Sequence, residues 1–280
     1  VKKNNPDGVL IGEVWEDASD KVSYGSRRAY LYGGELDSVM NYPMRSAVID
    51  YVKNGTVELM RKNSEGLYRR YPKCTSDNLM NFLGTHDTER ILTILGGEEM
   101  GDKPNAELAE LKMTAEEREL ARKKLKLAYG IIAGMPGSPC VFYGDEAGVE
   151  GYRDPFCRMP FPWKKIDEEL LSFYRKIGTI RSTNTVFRDG IFEILHLDER
   201  AFCYERKPFD GGEDYKIVVC CARHGKVIAK IWNYGKNHGV KLPITAENLV
   251  TDEKNSTFVI QEGQTAYLKC PISSSVEFEF

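Results

Sequence analysis

The chain has 280 residues and a net charge of −3, long enough to bury a large core and suited to one big domain plus a smaller one. A pI near 6.0 leaves no basic footprint for nucleic acid or an anionic membrane, and no stretch approaches the ~18 consecutive apolar residues of a membrane span. Seven scattered cysteines, Cys220 and Cys221 adjacent, suggest neither a disulfide framework nor a CxxC metal site, so a reducing, cytoplasmic setting is expected.

In chain order, Val1 opens a polar segment and is not Met, so the sequence is expected to be a piece of something longer, and a missing signal peptide says little about secretion. Apolar runs predict strands at Val9–Gly12, Ser38–Asn41, Leu79–Leu83 and Pro139–Tyr143. Helical periodicity lies between them, at Met44–Lys53, Val57–Arg70 and Ala115–Ala133. Thr114 and Glu117 form a capping box at the start of the last, and Gly134 with Pro136 are expected to stop it. This alternation predicts parallel βα units. A helix over Glu168–Arg181 precedes a change of texture: short runs at Ile191–Leu197, Ala201–Arg206, Lys216–Cys221, Val227–Trp232, Thr257–Ile260 and Ala266–Lys269, split by turn signals, predict an antiparallel β-sandwich. The expected division is 1–184 and 185–280.

Two islands carry the chemistry. Gly12-Glu13-Val14-Trp15 and Asn81-Phe82-Leu83-Gly84-Thr85-His86-Asp87 each end an apolar run with a carboxylate, as barrel enzymes present acids at the C-terminal ends of their strands. Two facing carboxylates are the minimum apparatus for cleaving a glycosidic bond. The aromatic content of 11%, with 15 Tyr, permits amphipathic contact surfaces for sugars or proteins.

These blocks, with Asp37-Ser38-Val39-Met40-Asn41-Tyr42-Pro43 and Gly137-Ser138-Pro139-Cys140-Val141-Phe142-Tyr143-Gly144-Asp145-Glu146, resemble in order and spacing the α-amylase clan of glycoside hydrolases. Trp15, Met40-Asn41-Tyr42-Pro43, Asp154-Pro155-Phe156-Cys157-Arg158 and Pro160-Phe161-Pro162-Trp163 are most similar to the neopullulanase, cyclomaltodextrinase and maltogenic amylase branch. The resemblance implies an α/β plus all-β fold: the C-terminal half of a (β/α)8 TIM barrel, about strands five to eight, followed by the sandwich.

It also implies roles. Glu13 matches the general acid/base, a job that needs a carboxyl still protonated near neutrality, which the apolar neighbours Val14 and Trp15 are expected to favour. Asp87 matches the acid that holds sugar hydroxyls and favours the distorted ring, and His86 its neighbour on the same sugar. Trp15 would stack on the acceptor sugar, Asp154 and Arg158 would hold glucose units further along, and Tyr42 would line the substrate site. Each has a plainer rival: Glu13 as a strand-end residue, His86-Asp87 as a structural loop, Asp154 and Arg158 as a local ion pair four residues apart. Asp145 and Glu146 are read as structural, His224 and His238 as surface residues, and the charged run from Glu116 to Lys126 as a solvated helix face.

One block of the pattern has no counterpart. In the clan the nucleophilic Asp lies on a strand before the acid/base, whereas here only Val1–Leu10 precede Glu13's strand core, and Asp7 sits in the turn Asn5-Pro6-Asp7-Gly8. The expectation is a C-terminal fragment of a retaining hydrolase acting on α-1,4 (with α-1,6 as a further candidate) glucosidic bonds in starch, maltooligosaccharides, cyclodextrins or pullulan, inactive alone. The alternative is a non-catalytic glucan-binding or assembly module. No cofactor is evident, no metal ligand is assigned, and calcium ligands are expected outside this chain. Unpaired barrel edges, with Val9, Ile11, Val39, Phe82 and Val141 facing inward without partners, predict a homodimer or pairing with the remaining barrel half.

Overall fold

A computed structural model describes residues 2–235 and 240–280. His238 lies outside the described residues. The first part runs β1 (Ile11–Gly12), a small hairpin of β2 (Val22–Ser23) and β3 (Ser26–Arg27), β4 (Ser38–Val39), α1 (Tyr42–Asn54), α2 (Val57–Arg70), α3 (Lys73–Ser76), β5 (Met80–Asn81), α4 (Ile91–Gly96), α5 (Asn105–Glu110), α6 (Ala115–Gly134), β6 (Ser138–Pro139), α7 (Glu168–Thr183) and α8 (Val186–Asp189). β1 pairs β4 in parallel, Met40 bridges Met80 in parallel, and β5 pairs β6 in parallel. The spatial order is therefore β1-β4-β5-β6, the chain order, as right-handed βα crossovers dictate.

The ladders are shorter than the apolar runs predict, because each strand is stopped chemically. Asn41 is already the N-cap of α1, its side chain accepting the Met44 N–H at 3.3 Å, so β4 cannot continue through it. Pro43 sits in the first turn, where its missing N–H costs nothing, and the helix starts at Tyr42 rather than Met44. Pro139 lacks an N–H on the open side of β6, while Ser138 and Cys140 donate to Leu79 O at 2.7 Å and Asn81 O at 2.6 Å on the β5 side. Val39 and Phe82, expected to lack partners, are buried on the central strands; Val9, Ile11 and Val141, near the two outer strands, are exposed.

α6 opens with the expected capping box: Thr114 Oγ1 accepts the Glu117 N–H at 3.2 Å, and Thr114 N–H donates to Glu117 Oε2 at 2.7 Å. Its end differs from expectation. Gly134 is the last helical residue and does not terminate the helix; Met135 turns to extended geometry, as the residue before Pro136 must. Gly134 is required instead by close approach, since a Cβ there would lie 2.3 Å from the Tyr204 hydroxyl.

The second part is antiparallel: β7 (Ile191–Leu197), β8 (Ala201–Lys207), β9 (Tyr215–Ala222), β10 (Val227–Tyr234), β11 (Lys241–Pro243), β12 (Ala246–Asn248), β13 (Glu253–Asn255), β14 (Thr257–Ile260), β15 (Thr265–Pro271) and β16 (Ser275–Glu279). One sheet has the order β13-β12-β15-β9-β8-β7; in the other, β10 pairs β11, β14 and β16. Cys203, Val218 and Cys220 of the larger sheet share a core with Ala229, Ile231 and Phe258 of the smaller. Alternate residues Phe202, Tyr204, Val219, Cys221 and Tyr267 face the other way, into the core that contains α6. The larger sheet is thus covered on both faces, which explains the unbroken apolar run Ile217–Ala222.

The junction at the end of α6 is polar as well as apolar. Tyr267 and Tyr204 donate to Gly130 O at 2.6 Å and Ile131 O at 2.7 Å, and Arg206 Nη1 donates to Gly134 O at 3.1 Å. Arg206 Nη2 adds Gly190 O at 3.0 Å, and Arg181 donates to Gly137 O and Phe187 O. Of these acceptors, Ile131 O and Gly134 O are among the last four helix carbonyls, which no intrahelical N–H reaches, and β8 side chains satisfy them. Burial first, then the charge of Arg181, pulls Arg206 down to about 10.

Candidate active site

The carboxylates named by the sequence are held where the parallel strands end. Glu13 follows β1 directly. The Leu83–Asp87 segment follows β5, and two side-chain bonds tie the strands beneath it: Asn41 Nδ2 to Asn81 Oδ1 at 2.7 Å, and Asn81 Nδ2 to Pro136 O at 2.8 Å. Asp7 lies at the opposite end of β1, in a turn closed by Gly8 N–H to Asn5 O at 3.1 Å.

Glu13 is exposed, and its Oε1 accepts from Tyr42 Oη at 3.0 Å and Trp15 Nε1 at 3.2 Å. This corrects the expected surroundings: Val14 turns into the core, and the groups on the carboxylate are hydrogen-bond donors, not apolar surface. Alternation along the extended chain sends Glu13 and Val14 to opposite sides. The Trp15 ring stacks on Tyr42, centroids 4.2 Å apart at 14°, and Tyr42 meets Phe82 edge-on at 4.8 Å. Trp15 keeps 52% exposure, so part of its surface is free for a ligand.

Tyr42 is only 3% exposed, bonds Glu13 and feels the charge of Asp87. Its phenol is pushed up to about 12 by burial first, against a hydrogen bond with Thr85, and further by Glu13 and Asp87. It stays a neutral donor at any physiological pH. As a member of the site it contacts Glu13 rather than presenting a face to solvent.

The second cluster is built on the Thr85–Thr88 turn, where Asp87 N–H donates to Thr85 Oγ1 at 3.2 Å and Thr85 N–H to Thr88 Oγ1 at 3.1 Å. His86 Nε2 lies 3.2 Å from Asp87 Oδ2, and both side chains are exposed. Arg158 Nη2 reaches Asp87 Oδ1 at 3.3 Å, while its Nε is 2.7 Å from Asp154 Oδ1. The local ion pair weighed in the sequence does form, and it also reaches Asp87. Cys157 Sγ donates to His86 O at 3.3 Å, fastening the two loops.

All seven named residues fall into these two clusters, with Tyr42 bonded to Glu13 and within electrostatic reach of Asp87. Two others had no motif of their own: Arg45, whose Nε donates to Leu83 O at 2.6 Å, and Arg90, fully buried against Asp145 at 3.3 Å. The available signal was an arginine three residues after Asp87 at the edge of an apolar run. Outside the site, His224 pairs with Glu262 at 3.3 Å on the surface, and Arg122 and Lys126 of the charged run on α6 pair with Glu169. No helix is long and apolar enough to cross a membrane among the described residues.

The arrangement, acids at the C-terminal ends of parallel strands followed by antiparallel sheets, defines a class. The alpha-amylase catalytic-domain family matches residues 1–176, and the chain belongs to that family. It is 34% identical to an amylopullulanase of Thermoanaerobacter thermohydrosulfuricus over 77% of its length and 14% of the relative's, and 32% identical to a cyclomaltodextrinase of Thermoanaerobacter pseudethanolicus over 93% and 41%. The chain thus spans less than half the length of these relatives. An Anoxybacillus alpha-amylase structure superposes with a TM-score of 0.71 at 19% identity, covering 97% of this chain and 54% of that one, a likeness of fold.

Proposed function

We propose that this chain carries the acid/base side of the active site of a retaining α-glucan hydrolase, acting on α-1,4 and, as a finer candidate, α-1,6 bonds in starch, maltooligosaccharides, cyclodextrins or pullulan. The observation that carries the reading is the Tyr42 hydrogen bond to Glu13 at the end of β1, with Asp87 presented at the end of β5 and β4 lying between the two strands. In this reading Glu13 protonates the departing glycosidic oxygen and then deprotonates water. Asp87 and His86 grip hydroxyls of the reacting sugar, the free part of Trp15 stacks on the acceptor, and Asp154 with Arg158 holds a more distant glucose. β1-β4-β5-β6 serve as half of an eight-stranded barrel over 1–184, and the two sheets as a sandwich over 185–280. β1 and β6, each paired on one side, are the edges at which further strands or a second copy would add.

Retention needs a second carboxylate ~5 to 5.5 Å from the acid/base. The one carboxylate that precedes Glu13 in this sequence is Asp7, in the Asn5–Gly8 turn at the opposite end of β1. The 280 residues alone are therefore proposed not to turn over. The test is release of reducing ends from β-cyclodextrin, pullulan and soluble starch, with Glu13→Gln in parallel, plus calorimetry with maltoheptaose. No release and poor binding is expected. Glu13-dependent release would overturn the inactivity. Saturable binding without release would favour the second reading, a glucan-binding module.

A further inference from the structure

The buried pair Arg90–Asp145 has no part in the chemistry above, yet it lies directly beneath the segment that presents Asp87. We propose that Asp145 and Arg90 are positioning residues for His86 and Asp87, and that the protonation state of the Asp145 carboxyl is transmitted to the backbone of residues 84–87.

One carboxyl touches Gly84 at the start of that segment and Arg90 three residues beyond its end. At the leading end, Gly84 packs bare against Asp145: a Cβ at Gly84 would lie 2.4 Å from Asp145 Oδ2. Beyond the trailing end, Arg90 Nη1 meets Asp145 Oδ1 at 3.3 Å and also donates to Tyr143 O. The Arg90 backbone N–H is fixed to Gly151 O at 2.9 Å, and its guanidinium lies over Phe142 and Tyr143, 4.3 and 4.6 Å from the ring centroids. Arg90 is 0% and Asp145 2% exposed, so both are closed off from bulk solvent. A change of charge on Asp145 must be answered by the groups in contact with it, chiefly Arg90 and the Gly84 backbone.

The other ionisable groups around Asp145 are Arg45 from α1, the adjacent Glu146, Tyr129 from α6, Tyr174 from α7 and Cys140. Arg45 donates its Nε to Leu83 O while its charge also favours the ionised Asp145, and Glu146 accepts the Gly144 N–H at 2.8 Å. Burial holds the Tyr129, Tyr174 and Cys140 protons above their ordinary values, so these three stay neutral near pH 7. Burial, opposed by Arg90, pushes Asp145 up to about 7. The segment's exposed imidazole, His86, is removed in the experiment.

The test is NMR on the 280-residue chain carrying His86→Gln, following the Asp145 carboxyl carbon and the amides of Gly84, Thr85 and Asp87 from about pH 5 to about pH 9. The amides should move with the same midpoint as the Asp145 carbon, near 7, and lose that titration when Asp145→Asn is added. A carboxyl carbon that does not titrate in this range, amides that stay flat while it does, or amides that still titrate in Asp145→Asn would each overturn the proposal. Should Asp145→Asn fail to fold, the shared or unshared midpoint in the parent decides alone. The importance of the coupling rests on the reading of Asp87 above, but the measurement uses no turnover: sugar release by the 280 residues would sink that reading and leave this one intact.

Discussion

Both the end of α6 and the Glu13 site are organised around tyrosine hydroxyls, and they use them in opposite ways. At α6, Tyr204 and Tyr267 are wholly buried and donate to backbone carbonyls, with Arg206 completing the set. No carboxylate accepts there. At the site, Tyr42 is also buried, but its hydroxyl donates to a carboxylate that is open to solvent. A buried donor on a buried carbonyl holds structure; a buried donor on an exposed acid orients a group that can still meet a ligand. The difference lies in the accessibility of the acceptor, not in the residue type.

Breaking each side of this contrast should give effects of very different size. The largest is expected from Arg206→Met, which strips donors from the Gly134 and Gly190 carbonyls around a fully buried side chain: about 3 to 5 kcal/mol lost in urea denaturation. A loss under about 1 kcal/mol would mean the junction is not sealed. Next is pH. Asp145 has a folded value of about 7, above its ordinary 3.8, so the folded state binds more protons in that window. Its contribution is complete below the unfolded value and is lost as pH rises through about 7, with a slope of up to ~1.4 kcal/mol per pH unit. Asp198, held at about 2 chiefly by hydrogen bonds that outweigh its burial, acts in the opposite sense, losing stability as pH falls below 3.8. Comparing stability curves of the parent and Asp145→Asn isolates the first term; superimposable curves would exclude it.

Tyr204→Phe should cost about 1 to 2 kcal/mol by leaving Ile131 O unpaired, read as a lower thermal midpoint. Glu13→Gln, at an exposed position, should change stability by no more than about 0.5 kcal/mol while abolishing whatever sugar chemistry the site supports. A Glu13→Gln variant as destabilised as Tyr204→Phe would place Glu13 among the structural residues and erase the contrast.

Much of the site was legible in the chain because strand ends and caps are local. Glu13, His86 and Asp87 are marked by short motifs next to apolar runs, and Thr114 with Glu117 writes its own helix start. Arg90, Arg45 and Arg206 were not legible. Each is a charged residue that is buried because distant segments surround it, Tyr143 and Gly151 for Arg90, Gly134 and Gly190 for Arg206, and sequence spacing gives no sign of those partners. The same holds for the strands β11, β12, β13 and β16, which are short and polar and exist because a neighbouring strand offers free backbone groups.

What the amino-acid sequence determined by itself was therefore the order of βα units, the capped start of α6, the change to antiparallel strands after residue 190, and the acids at the ends of β1 and β5. Each of these depends on hydrogen bonds and periodicities that close within a few residues. The tertiary structure alone decided that Val14 leaves Glu13 to two donors, that Gly134 serves a tyrosine rather than a turn, that the larger sheet is buried on both faces, and that one buried carboxyl touches Gly84 before Asp87 and Arg90 after it. Those outcomes depend on which residues meet across long stretches of chain, and local chemistry does not encode that meeting.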